Sequence, residues 1–523
     1  MYLIYVTWFV LKLAGLFLAA FLVYNLKFIF KPYFSRRRFK KYKNVYMYDK
    51  APFVIGDASR YMEDMKKNRV NFYHQIEYAM ELKDIDFRVS FIADRTFINV
   101  FSMRALKEFV QKVPKFIDRK SLANVGFGKI FPRSSVHQKT GAEWRKRRES
   151  FQKHIGINFS SKHIPLMIDC IGDRLNTWKD AKSQKNDDLL KDMADTTFAV
   201  ITKVFFGENI SEEMGEIEYI DPTDSTTKMM KFDEFYTNLA KSLMGNRFTL
   251  KGLLLPFLDY YNLTKPYSTN YQNLQKLWKV LSEYLDKHPE QDSVYNKLIN
   301  QKGLTKDYSF QDSLGILFAG HETSSHTISS GLYFLYKNPV IKEKLMEELK
   351  EFVGKSHDEI KTLLTREKID KLEYLHLVIK EILRIDPPAM DAIPYEVIQD
   401  TELCGVEFKK GDMLNMNILS RHFDPAQWQE PLKFIPERFD PESEYFNAPE
   451  TNKGRDPFAW IPFSVHVRKC SGQTFAMLEA KVFILYLLSR VEFTFPKELL
   501  ESDTSFFSIV SQLKLNFSAK LRE

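Results

Sequence analysis

The chain has 523 residues, with 76 Lys and Arg against 68 Asp and Glu, a formal net charge of +8, and 44% apolar and 14% aromatic residues. That composition excludes a disordered chain. Three cysteines exclude a disulfide scaffold and fit a reducing compartment. Twenty glycines, about half the usual ~7%, argue against a turn-rich all-β fold. The charge is concentrated: Lys27, Lys31, Arg36, Arg37, Arg38, Lys40, Lys41 and Lys43 supply +8 with no acidic residue among them. The remainder is close to neutral, so no nucleic acid is expected as a partner.

In chain order, the first element is the apolar run Tyr2–Leu26, 25 residues. As a helix it reaches about 37 Å, against a hydrocarbon core of ~30 Å. Lys12 near its middle costs roughly 2.5–3.5 kcal/mol on insertion, and the 14 Leu, Ile, Phe and Val residues outweigh it by contributing roughly −4 to −8 kcal/mol. A cleaved signal peptide is the alternative, but a basic n-region is missing and the apolar run is too long for one. Residues 1–30 are expected to be a transmembrane anchor, ended by Pro32. Residues 31–50 are expected to be a basic linker. Basic residues after the span keep the rest of the chain on the cytosolic side and suit anionic lipid headgroups.

Residues 51–523 show no repeat and no low-complexity linker. The length prior of ~3 domains therefore yields to one large domain, mainly α with a minor β part. Strand patterns fall at Phe87–Val100, at Thr401–Phe408 with a turn through Lys409–Asp412, and at a hairpin over Phe506–Phe517. Phe310–Tyr336 is apolar all round, the pattern of a buried helix. Leu372–Ile385 is a second helix, stopped by Pro387-Pro388. Arg145, Lys146 and Arg147 read as a solvated face. His321 and His326, five apart, read as packing or solvent contacts, and Cys170 and Cys404 as inert thiols.

Gly320 inside the buried helix costs about 1 kcal/mol relative to Ala, which implies a close approach to its backbone. Thr323 is placed to bond the local carbonyl and open a groove for water. Glu322 is a candidate proton relay. Cys470 is by default a small buried hydrophobe, yet Arg468 and Lys469 adjoin it and a helix pattern begins just after it. Both features favour thiolate. A thiolate there is a nucleophile, a redox switch or a metal ligand. With no CxxC and no Cys/His cluster zinc is disfavoured, whereas a lone thiolate suits haem iron.

The run Phe463-Ser464-Val465-His466-Val467-Arg468-Lys469-Cys470-Ser471-Gly472 resembles the haem-binding loop F-x-x-G-x-R-x-C-x-G of the cytochrome P450 monooxygenases. Phe463, Arg468, Cys470 and Gly472 match, and His466 stands at the glycine position. Gln473, Phe475, Ala476 and Glu479 fit the helix that follows. Trp144 and Arg148 resemble W-x-x-x-R. Ala319-Gly320-His321-Glu322-Thr323-Ser324 resembles the oxygen-binding motif, Glu381 and Arg384 resemble E-x-x-R, and Pro436-Glu437-Arg438-Phe439 resembles P-E-R-F, preceded by Asn417, His422, Trp428, Pro431 and Phe434.

The resemblance implies the cytochrome P450 fold and haem b held by Cys470 as axial thiolate. Trp144, Arg148 and Arg468 are placed at the propionates, with Ala319, Gly320, Phe463 and Gly472 also against the cofactor. Thr323 and Glu322 are implied to serve O2 activation, and Glu381, Arg384 and Arg438 to form a structural triad holding the cysteine loop. An Arg often found near Tyr395-Glu396 is missing here. The implied activity is monooxygenation of an apolar small molecule (lipid, sterol, terpenoid or xenobiotic), with electrons from NADPH through a flavoprotein reductase and with cytochrome b5 as a further partner. Part of the Arg145–Arg147 charge is then placed to dock an acidic donor. The implied location is the endoplasmic reticulum membrane, catalytic domain to the cytosol. Rival readings are an isomerase or dehydratase acting on a peroxide, disfavoured by the intact Glu322-Thr323 pair, and a haem-binding sensor without turnover.

His466 leaves three outcomes open. The loop keeps its path with a left-handed histidine, at about 1–3 kcal/mol; or it is rebuilt with the ring over the proximal haem face; or the histidine replaces the cysteine as ligand. The first is expected, because Phe463, Arg468 and Gly472 set the register on Cys470.

Overall fold

The computed structural model describes residues 2–48, 56–57, 59–60, 63, 73–92, 95–180, 187–207, 210–246, 249, 251–252, 255–501 and 514–522. It is mainly helical with a minor sheet part. The central helix is Lys306–Lys337, capped by Thr305, whose side chain accepts from Tyr308 N–H. It runs the length of the larger apolar core, packed against Leu189–Phe206, Glu373–Ile385 and Gln473–Arg490. Leu314, Leu317, Ile328, Leu332 and Leu335 on it are buried, and each such side chain contributes about 1.5–3 kcal/mol.

A smaller core lies under a six-stranded sheet. Its strands, in spatial order, are Val45–Met47, Phe87–Ile92, Arg95–Val100, Met413–Met416, Tyr395–Val397 and Ile117–Arg119. Phe87–Val100 is thus a hairpin rather than one strand, and Thr401–Leu403 pairs antiparallel with Val406–Phe408 through a turn at Cys404-Gly405. The strand Asn516–Leu521 pairs with Val491–Thr494. Most of the expected hairpin over Phe506–Phe517 lies outside the described residues.

The N-terminal reading needs correction at Pro32. The helix does not stop there but continues as Tyr2–Phe39, and Phe39 enters the smaller core. The basic residues that follow are partly structural. Arg38 bonds the Asp412 carboxylate at 3.0 Å, and the Arg36 guanidinium lies 5.0 Å from the Phe91 ring. Strand Val45–Met47 then joins the sheet, so the segment expected to be a linker is largely built into the domain. Among the described residues no helix is long and apolar enough to cross a membrane.

Candidate active site

Ile461 to Gly472 forms a closed loop. Cys470 N–H donates to Phe463 O at 2.8 Å, and Lys469 N–H to His466 O at 3.1 Å. His466 has φ +62° and Ser464 φ +60°. The histidine therefore adopts the left-handed conformation itself. His466 is exposed. The helix Gln473–Arg490 starts directly after the loop, with Gly472 as its cap.

Cys470 is reachable by solvent, and protein packed around it pushes its thiol up. The backbone N–H groups of Gly472 and Gln473 and the cations Arg148 and Lys469 pull the other way without prevailing. The expectation that neighbouring cations by themselves favour thiolate is thus corrected: desolvation outweighs them. Arg468 is engaged elsewhere, donating to Thr140 Oγ1 at 3.0 Å and Gln138 O at 2.6 Å.

On the central helix Ala319 is exposed, although Leu317 and Phe318 before it and Ser324 and Ser325 after it are buried. Ala319 therefore faces open space although the turns on either side of it are buried. Thr323 lies one turn on, on the same face, and its Oγ1 donates to Ala319 O at 2.6 Å. Gly320 differs from expectation. A Cβ there would stand 3.0 Å from Ile201 Cγ1, so what approaches its backbone is the neighbouring helix Leu189–Phe206. Glu322 is half-buried. Burial pushes its carboxyl up, but the His321 side chain and the Lys241 ammonium hold it below its ordinary value.

Glu381, Arg384 and Arg438 meet fully buried. Arg384 grips Glu381 through two bonds of 2.8 Å, and Arg438 Nε reaches Glu381 Oε1 at 3.2 Å. A buried group of this kind is tolerated only when its other donors are satisfied. Arg384 donates to the carbonyls of His422 and Pro431, each at 2.9 Å, and Arg438 to that of Glu430 at 2.7 Å. His422 was visible in the sequence only as a fitting residue. In the structure it links this group to the cysteine loop, accepting from Ile461 N–H at 3.0 Å.

Trp144 and Arg148 share one face of the helix Ala142–Lys153. The Arg468 guanidinium lies 4.0 Å and that of Arg148 5.5 Å from the Trp144 ring centre. Arg148 also donates to Lys469 O. Arg147 is not part of a solvated face. It is buried and bonds Asp312 of the central helix at 2.8 Å, while Arg145 and Lys146 are exposed.

A residue that sequence reasoning missed completes this region. Arg119 is buried, 4.7 Å from the Tyr395 ring centre, with Nη1 donating to Ile393 O at 2.6 Å. Its Nε is buried without a partner. The signal in the sequence was a charged Asp118-Arg119 pair inside a strand. Burial pulls the Arg119, Arg148 and Arg468 guanidiniums down, Arg468 to about 10. Asp118 is the carboxylate among them, 3.5 Å from Arg468. Three cations against one anion leave two positive charges, a set that suits a ligand carrying two carboxylates.

A helical fold with a minor sheet part, a cysteine at the start of a buried helix and a guanidinium cluster beside it frame a site for an anionic cofactor. The chain belongs to the cytochrome P450 family, whose family model matches residues 24–519. It is 24% identical to cytochrome P450 4V2 of Rattus norvegicus over 461 residues, which is 81% of this chain and 80% of that protein. It is 27% identical to cytochrome P450 3A2 of Rattus norvegicus over 400 residues, 73% of each chain. Against putative cytochrome P450 120 of Synechocystis it is 26% identical over 355 residues, 67% of this chain and 71% of that one. Membership makes the protein an oxidoreductase of the monooxygenase type that uses haem with a cysteine thiolate ligand and O2. The residues present fit haem: a cysteine with N–H donors at its sulfur, two unbalanced positive charges and an orphaned buried guanidinium nitrogen.

Proposed function

We propose that the chain oxidises an apolar small molecule at a haem held by Cys470, inserting one atom of O2 with electrons from NADPH through a flavoprotein reductase. Haem, when bound, supplies the iron at which O2 is activated. Cys470 would bind that iron as thiolate, a form that the Gly472 and Gln473 N–H groups and the Arg148 and Lys469 cations favour. Arg468, Arg148 and Arg119, with Trp144, would hold the propionates, and Phe463 and Gly472 would border the cofactor. Thr323 and Glu322, beside the exposed Ala319, would hold and pass protons. Glu381, Arg384 and Arg438 keep the cysteine loop in place.

The observation that carries this reading is the exposed Ala319, with half-buried Thr323 one turn on, on a helix that packs against the one following Cys470. The intact Glu322-Thr323 pair supports a monooxygenase over an isomerase acting on a peroxide. In the test, Cys470→Ala is compared with the unaltered protein. The unaltered protein should give a thiolate-type spectrum of its reduced carbon monoxide complex, and the variant should not. A variant that keeps that spectrum would remove Cys470 as ligand.

The reading extends to the membrane. Trp8, Leu16, Val23, Leu26, Ile29, Phe30 and Phe34 of the N-terminal helix are exposed. Tyr24 meets Phe257 edge-on at 5.9 Å, beside the exposed Tyr260, Tyr261 and Leu263. These side chains support a membrane-facing side of the protein, with residues 1–30 as anchor in the endoplasmic reticulum and the catalytic domain toward the cytosol. Deleting residues 1–30 should weaken membrane association and leave haem in place. Protection of the catalytic domain from protease in sealed microsomes would overturn the orientation.

A further inference from the structure

His321 lies on the side of the central helix away from Ala319, walled by aromatic rings. Phe198 meets it edge-on at 5.2 Å and Tyr236 at 5.9 Å. Thr197 Oγ1 donates to His321 O at 2.9 Å and fixes that turn of the helix against its neighbour. The ring's two nitrogens are not equivalent. Nδ1 is 2.7 Å from Leu317 O. A carbonyl only accepts, so Nδ1 carries hydrogen. Nε2 faces Glu322 Oε1 at 3.6 Å and, buried, has no hydrogen-bond partner.

That leaves a nitrogen lone pair against a carboxylate unless a proton stands between them. The pair is at ease as imidazolium and carboxylate, or as imidazole and carboxylic acid, and strained with neither proton. The two partners also differ in access: the Glu322 side chain is 21% exposed and that of His321 2%. Glu322 therefore meets solvent protons, and His321 meets Glu322. The other charged or titratable groups facing this acid are Lys241 and Tyr236 from the helix Phe232–Gly245 and His326 from the central helix.

We propose that His321 is a positioning residue for Glu322, sharing one proton with its carboxylate and holding that acid in the orientation from which it serves Thr323. The Nε2–H bond breaks as an O–H bond forms on the carboxylate, and Glu322 then passes that proton to water on the Thr323 side. The imidazole is recharged by a solvent proton entering at the exposed edge of Glu322. No other reactant is consumed. The inference rests on the monooxygenase reading above, and its test separates the two.

The holoprotein is uniformly labelled with 15N-histidine and examined as the reduced carbon monoxide complex from about pH 6 to about pH 9. The His321 signals are assigned by their loss in His321→Gln. Glu322→Gln should displace the His321 titration midpoint by about one pH unit or more, a tenfold change in proton affinity. An unmoved midpoint overturns the shared proton. In a second arm, His321→Phe keeps the ring's bulk and removes both nitrogens. With NADPH and a flavoprotein reductase, and no added substrate, it should release severalfold more hydrogen peroxide per NADPH and lose the pH dependence of that ratio. A ratio and profile like the parent's also overturn the proposal. Should His321→Phe fail to fold, the Glu322→Gln titration decides. A wild-type protein without the thiolate-type spectrum would refute the monooxygenase reading, whatever the nitrogen titration gives.

Discussion

His422 Nε2 accepts a hydrogen bond from Ile461 N–H at 3.0 Å, while its Nδ1–H donates to Arg384 O at 3.0 Å. One buried imidazole thereby ties the Glu381–Arg384–Arg438 group to the first residue of the cysteine loop. Burial pulls its pKa down to about 3, which keeps Nε2 available as an acceptor across the physiological range. The charged triad thus acts on the loop through a neutral ring.

His422→Phe should strand the Ile461 N–H and the Arg384 carbonyl together, at a cost of about 2–4 kcal/mol for two buried groups. The expected outcome is faster haem loss and conversion of the reduced carbon monoxide complex to a form without the thiolate-type band. Haem release measured by transfer to an apo-globin checks it. Release at the parent rate would mean that the loop holds itself.

Arg119→Met should speed haem release by about tenfold, the value of one charge-assisted hydrogen bond of ~1.5 kcal/mol. Reconstitution with haem dimethyl ester, whose propionates carry no charge, should erase the difference between variant and parent. A difference that persists with the ester would assign Arg119 to holding Tyr395 alone.

Thr323→Ala removes the hydroxyl that now bonds Ala319 O. Electron flow should then be less coupled to product, with more hydrogen peroxide per NADPH. Unchanged coupling would leave Glu322 sufficient without it.

Glu479 on the helix after the cysteine loop is buried, and burial pushes its pKa up to about 8 against a pull from the Ser324 hydroxyl. The native state therefore holds this proton more tightly than the unfolded chain does. Stability is lost as pH rises from about 4.5 to about 8 and is flat above that. Glu479→Gln should be nearly neutral near pH 5 and stabilising by a few kcal/mol near pH 8. Urea midpoints at the two pH values measure this, and an equal effect at both would place the ionisation outside this window.

His466→Gly should relieve the left-handed histidine. The gain is about 1 kcal/mol, or roughly 1 °C in the midpoint of haem loss for a chain of this size. The thiolate-type spectrum should be unchanged. Loss of haem in the variant would make the ring itself part of the site.

The central helix, the Glu381–Arg384 helix and the Cys470 loop were all legible in the sequence, because each is a local pattern. Apolar periodicity, capping and fixed spacing act within one segment and do not depend on what packs against it. The left-handed turn at His466 was legible for the same reason: the matches at Phe463, Arg468 and Gly472 set the register around it. Tertiary structure alone decided the rest. Arg119 stands over Tyr395 because strand Ile117–Arg119 pairs with Tyr395–Val397 in a register that sets those two residues opposite each other. Arg147 is buried because Asp312 of the central helix comes to meet it. The space beside Gly320 belongs to Ile201 because two helices cross there. The Cys470 thiol is pushed up by the desolvation of the whole surrounding fold, a sum no nearby pair of cations in the sequence reveals. Contacts between residues far apart in sequence depend on register and packing angle, and those are fixed only when the chain has closed on itself.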